Sequence, residues 1–177
     1  NLYSEIYDGQ DGVNLPDIWI ENPSGIWNNS TADSLCNSVL TKVENKNLAL
    51  RNCETRLILN GILFHEIDGK EKAISSVWHG IGMGEVDKVW MPKGTELSSG
   101  VIAKSNSEIV LDSHIAIDIG VSVGDVIEIS SGFGRFNYTV VGIGFHSQHL
   151  FFAQDGATLP ADNASFAAGY LTIDGLT

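Results

Sequence analysis

Apolar and polar positions alternate in short runs along most of the chain, and a period of two predicts strands. The stretch "CETRLILNGILFHEIDGKEKAISSVWHGI" is two such runs meeting at Asp68-Gly69, a dipeptide suited to the tight turn of a hairpin. The second run carries the strand formers Val77 and Trp78 and ends in "GIGMG", which reads as a loop. Its glycines lack the spacing of a dinucleotide-binding turn, and no helical pattern follows. "EVDKVWMPKGTELSSG" reads as a short strand and a turn. Then "EIVLDSHIAIDIGVSVGDVIEIS" reads as strand, short helix, turn, strand. In that helix Asp112 or Ser113 caps the start, Ile115, Ala116 and Ile119 share a face, and Gly120 ends it. "DVIEIS" pairs across "SGFG" with "RFNYTVVGIGF", where Phe136, Tyr138 and Val140 alternate with polar residues. A loop running to "LPADNASF" leads to a last strand, "AGYLTID".

The first fifty residues read differently. "NLPDIWIENPSGIW" predicts an opening strand, because Ile18 and Ile20 alternate with Asp17 and Glu21 around Trp19, between Pro16 and Pro23. "NNSTADSLCNSVLTKVEN" predicts a helix, with Ser30 or Thr31 as cap and Asp33 favouring the first turn. Leu35, Val39 and Val43 recur every four residues, and Cys36 and Leu40 flank that face, which points Cys36 inward. The expected fold class is α+β, strand-rich and mixed, with few helices.

Composition supports a folded domain: 43% of residues are hydrophobic and 18% are charged. A net charge of −12 excludes nucleic acid as an expected partner and disfavours docking on an anionic membrane surface. The apolar runs are too short and interrupted to span a bilayer. The chain opens at "NLYSEIYDGQDG" without a methionine, a basic region or an apolar signal core, as a segment of a longer protein would.

Cys36 and Cys53 fit no zinc pattern, since a structural site needs four ligands. Two readings remain, buried free thiols or a disulfide tying the helix to the following strand. Sequons at Asn29, Asn137 and Asn163 hint at an extracellular setting, and the expectation is a Cys36–Cys53 disulfide in an oxidising compartment.

Catalytic patterns are weak throughout. "GVSVG" spells the G-x-S-x-G of an esterase, but a nucleophile elbow needs a strand before the serine and a helix after it. Here the predicted order is reversed, which makes Ser122 part of a connector. "FHSQH" places His146 and His149 three apart beyond a strand, where such positions point to opposite faces, and no third ligand lies near in sequence. His65, His79 and His114 read as isolated surface or core histidines. "YDGQDGVNLPD" resembles a calcium loop only faintly, since Gln10 and Gly12 break the pattern and no bidentate Glu follows. No carboxylate pair suggests an acid–base couple. Catalytic, metal and cofactor sites are therefore expected to be absent. Trp19, Trp27, Trp78 and Trp90 could line a sugar-binding groove, which keeps open a secreted carbohydrate-binding or adhesion module; core or interface packing is the commoner use.

One block carries a resemblance. "SGVIAKSNSEIVLDSHIAIDIGVSVGDVIEIS…FNYTVVGIG" resembles the extracytoplasmic core domain of MacB/FtsX-type ABC transporter permeases. The matching positions are Glu108, Ile109, Val110, Leu111, Gly120, Val121, Val123, Gly124, Asp125, Val140, Val141, Gly142 and Ile143. Asp112 stands where serine is usual, and still serves as a helix cap. The match is tightest over 99–143 and looser over 14–81.

The resemblance implies a non-enzymatic domain on the outer side of the cell membrane, between the first and second of four transmembrane helices. It implies a cytoplasmic ATP-binding subunit as partner, a second permease copy in a homodimer, and an external substrate or protein. It also implies a membrane-proximal α/β lobe, 1–92 with 148–177, and a distal strand-rich lobe, 93–147. After "AGYLTIDGLT" the family usually continues with another helix and strand, so a lobe is expected to be incomplete here.

Overall fold

The computed structural model describes residues 16, 18–22, 25–44, 52–67, 69–82, 88–91, 98–146, 149 and 164–177. Among the described residues, seven strands and three helices follow in chain order. They are α1 (Asn29–Glu44), β1 (Leu57–Ile67), β2 (Lys70–Ile81), β3 (Ser99–Gly100) and β4 (Glu108–Asp112). Then come α2 (Ser113–Ile119), β5 (Val126–Ser131), β6 (Gly134–Gly144), β7 (Phe166–Thr172) and α3 (Ile173–Leu176). Strand order is β3-β6-β4-β7-β2-β1-β5, and β5 also pairs with β6, so six strands close into a mixed barrel with β3 as a two-residue addition. The α+β, strand-rich expectation holds. β5, β6 and β4, from 93–147, lie side by side, as do β7, β2 and β1 from outside that range, and the two groups are hydrogen-bonded to each other at β4–β7 and β1–β5.

Both predicted hairpins form. β1 and β2 pair from Leu57↔Gly80 to Ile67↔Lys70 about a turn containing Gly69, and β5 and β6 pair from Val126↔Thr139 to Ser131↔Gly134. Long-range pairing then closes the sheet: β2 runs parallel to β7, β7 antiparallel to β4, and β4 parallel to β6. A register shift between Ile109 and Val110 leaves Val141 as an extra residue on β6, a bulge of the kind that bends a strand around a barrel.

The interior is apolar. Leu63, Ile74, Trp78, Ile109, Leu111, Ile127, Ile129, Val140, Phe166 and Leu171 fill it. Trp78 crosses β1 to donate its indole N–H to Ser130 O at 2.8 Å. Gly61 makes that crossing possible, since a Cβ there would stand 2.2 Å from the indole nitrogen and 2.1 Å from Ser130 O. β4 and β7 are antiparallel, so the helices that follow them lie at opposite ends of the barrel. α2 contributes Ile115 and Ala116 to the interior cluster at one end, and α3 contributes Leu176 at the other. Tyr138 ties α3 in place by donating its hydroxyl to Gly175 O at 2.6 Å.

Several local expectations need correction. No strand forms among the described residues of 14–27: Ile18, Trp19 and Ile20 are 66%, 44% and 51% exposed, so alternation there has no partner strand or buried face behind it. α1 is capped by Asn28, whose Oδ1 accepts from Thr31 N at 2.8 Å, rather than by Ser30 or Thr31, and Asp33 falls beyond the first turn. Among the described residues around Trp90, 88–91, a single bridge with Phe145 takes the place of the expected strand. α3 adds a short helix that the strand pattern of "AGYLTID" does not announce. Thr172 starts it, its hydroxyl accepting from Gly175 N at 3.0 Å. Gly80 and Ile81, expected in a loop, are the last two residues of β2, because they still pair with β1 and β7. Met83 and Gly84, and all of the calcium-like loop 7–17 but Pro16, lie outside the described residues.

Candidate functional site

On β2 the even-numbered residues face the interior, so His79 belongs to the outer wall of the barrel. It is nevertheless buried, because a second layer covers that wall. Val89, Ala103, Val110 and Tyr170 form a small apolar cluster there, with Met91, Ile102 and Val141 packed against it. Trp90 and Phe145 lock the layer by exchanging backbone hydrogen bonds, Trp90 N to Phe145 O at 2.8 Å and Phe145 N to Trp90 O at 3.2 Å.

β6 ends at Gly144, and the chain then turns, with His149 N donating to His146 O at 2.9 Å. That turn overrides the opposite-face argument for "FHSQH", since both histidines come down on the same wall and are buried. His79 Nε2 and His149 Nε2 lie 2.8 Å apart in a hydrogen bond. The His79 and His146 rings stack at 5.4 Å between centroids, and Tyr170 lies 5.4 Å from His79 and 5.7 Å from His146. His79 is thus no isolated core histidine.

The Tyr170 hydroxyl carries the network to β4, donating to Asp112 Oδ2 at 3.2 Å. Asp112 is fully buried, and its Oδ1 accepts from His114 N at 2.9 Å, capping α2, and from His114 Nδ1 at 2.8 Å. His114 is therefore paired as well, and this hydrogen bond raises its pKa above the ordinary histidine value against the opposing effect of burial. His79 moves the other way. Burial, then the nearby His146 and His149, then Arg56, hold it well below the ordinary value. His65 sits apart and meets Ile119 O at 3.2 Å.

Chemically the cluster is a proton-holding group. Two nitrogens shared by one tetrahedral zinc, each about 2.0–2.1 Å from it, would stand about 3.3 Å apart, farther than the hydrogen-bonded contact observed. Among the described residues no group of three or more His, Cys, Asp or Glu side chains is placed to hold a metal ion.

The remaining sequence candidates scatter. Cys36 and Cys53 form the expected disulfide, with their Cα atoms 5.5 Å apart, and it joins α1 to the segment leading into β1. An open groove lined by Cys36, Leu40, Cys53, Glu54 and Thr55 lies beside it. Ser122 is exposed on the connector between α2 and β5, where its N–H donates to Asp125 Oδ2 at 2.8 Å. Gly120, at φ 71°, ends the helix just before it. Trp78 and Trp90 are buried, which removes two of the four tryptophans from any sugar platform. Asn137 is exposed on β6, while Asn163 lies outside the described residues. No described helix is long and apolar enough to cross a membrane.

Compared with known proteins, the chain matches no family model and no curated relative.

Proposed function

We propose that this chain is the extracytoplasmic domain of a MacB/FtsX-type ABC transporter permease, coupling ATP-driven movement in the membrane to an external substrate or partner. The observation that carries this reading is the block 108–143. Its matching residues build one contiguous unit, in which a strand, an Asp-capped helix, a left-handed Gly120 and a turn deliver β5, and β6 then returns to pair with both β5 and β4. The Cys36–Cys53 disulfide adds support, because such bonds persist in oxidising compartments.

On this reading the domain catalyses nothing itself. A separate cytoplasmic subunit hydrolyses ATP, and a second permease copy completes the transporter. The membrane-proximal part, 1–92 with 148–177, and the distal part, 93–147, act as two flanks of one barrel. A closed sheet suits such coupling, because it has no free edge to pair wrongly and moves as a unit. The full-length gene product provides the test. One apolar span of about 20 residues before this segment and three after it are expected. So is labelling of a Ser122→Cys variant by a membrane-impermeant thiol reagent in intact cells. Absence of those spans, or labelling only after lysis, would overturn the reading.

A further inference from the structure

We propose that His79, His146 and His149 form an acid-sensitive latch. When their rings are neutral they hold Phe145, His146 and His149 onto the outer wall formed by β2 and β7, and a second proton on the His79–His149 pair releases them. This goes beyond the transport reading and does not depend on it.

Proton counting at one contact carries the proposal. The 2.8 Å approach of the two Nε2 atoms has room for a single proton between them. A neutral pair satisfies that condition, one ring donating and the other accepting. A singly protonated pair satisfies it too, the cation donating to a neutral ring that carries its hydrogen on Nδ1. A doubly protonated pair sets two N–H groups head to head in a buried site, with repulsion in place of a hydrogen bond. His146 stacks on His79 at 5.4 Å between ring centroids and closes the site on that side.

Among the described residues, the polar groups of the neighbouring elements are engaged with one another. β7 presents Tyr170, whose hydroxyl is given to Asp112. β4 presents Asp112, which is engaged by His114. The segment before β1 presents Arg56, of like charge, with Glu54 held against it at 3.3 Å. β1 offers apolar Ile58 in register with His79.

The sign follows from the folded environment. His79 is held below its ordinary value when the latch is closed, and an opened, solvated ring titrates near the ordinary 6.5. Opening therefore takes up protons below pH 6.5, and the closed form loses stability as pH falls. Each proton taken up raises the opening constant about tenfold per pH unit.

Amide hydrogen exchange on the whole chain between pH 7.5 and 5, corrected for intrinsic rates, tests this. Protection at Trp90, Phe145 and His149 should fall by about tenfold or more per pH unit below 6.5, while Val140 in the barrel holds steady. In His79→Gln and His149→Gln, which keep polar groups but cannot charge, that fall should shrink by half or more. Constant protection in the native protein would overturn the latch. So would a parallel loss at Val140, or an unchanged pH dependence in both variants. If neither variant folds, the ring-proton titrations of the native protein decide. His79 titrating at an ordinary value and independently of His149 would sink the proposal, and a depressed, coupled titration would sustain it.

Discussion

The barrel presents two cores on opposite sides of the same strands, and they are built on different principles. Residues 78 and 79 are neighbours on β2, yet Trp78 faces an interior that is apolar but for the Ser76 hydroxyl, and His79 faces three aromatic polar groups. Inside, stability comes from area removed from water, and the one tryptophan N–H finds a carbonyl on β5. Outside, the buried layer fills its volume with imidazoles, a phenol and a carboxylate. Such groups cost free energy to bury, and their hydrogen bonds return only about 1 kcal/mol each in net stability. What they add is a response: the interior has almost nothing to titrate, whereas the outer layer holds ionisable rings whose protonation changes the contact itself.

The largest test of this contrast is Trp78→Ala. The indole is fully buried, lies against Gly169 and spans three strands, so its loss should cost about 3–5 kcal/mol, a large part of the stability of a domain this size. Urea unfolding at pH 7.5 measures it. A cost under about 1 kcal/mol would mean that the interior is loosely packed and the comparison fails.

A finer test removes one hydroxyl from each side. Ser76 Oγ is buried inside the barrel and, among the described residues, has no hydrogen-bond partner. Ser76→Ala should therefore stabilise by about 1 kcal/mol. Tyr170→Phe removes a hydroxyl that does have a partner, leaving Asp112 Oδ2 without it, and should destabilise by about 1 kcal/mol or slightly more. Equal signs for the two changes in paired urea titrations would erase the distinction between the cores.

The difference between the two sides also explains what the sequence disclosed. The hairpin at Gly69 and the strand–helix–turn–strand block from Glu108 to Ser131 were legible because each depends on local chemistry: turn residues, a cap, a helix-ending glycine and alternation between them. The Cys36–Cys53 pairing was legible because only two cysteines exist. Closure of the sheet was not, since β2 and β7 pair in parallel across most of the chain's second half and no local pattern names the partner. The histidine cluster was illegible for the same reason: His79 and His149 are 70 positions apart. Its one local clue, "FHSQH", misleads because the strand period does not continue past Gly144, where the strand stops. The apparent strand near Trp19 misleads in the opposite way, offering alternation with nothing to pair against. Thr172 does carry a cap signal for α3, but the period of "AGYLTID" draws it into the strand.

The smallest effect belongs to the edge of the outer layer, and there the pH dependence reverses. His114 donates to the buried Asp112, and its imidazole is 42% exposed. Its pKa is raised in the folded protein, chiefly by that hydrogen bond. A raised value means that the folded state binds the proton more tightly, so the stabilisation is complete below about 6.5 and is lost as pH rises through the folded value. His114→Gln keeps the backbone cap and removes the charge. It should cost under about 1 kcal/mol, because solvent screens a pair this exposed. The cost should be larger at pH 5.5 than at pH 9, which is the opposite slope to that of His79. The difference between native protein and variant, taken at each pH, cancels the latch contribution as long as the two sites act independently. They are joined through Tyr170 and Asp112 and through the ring contact of His114 with Phe145, so His114→Gln and His79→Gln combined form the cycle that measures their coupling. A cost independent of pH would mean that the His114 charge does not matter to Asp112. One that grew toward pH 9 would reverse the assigned sign.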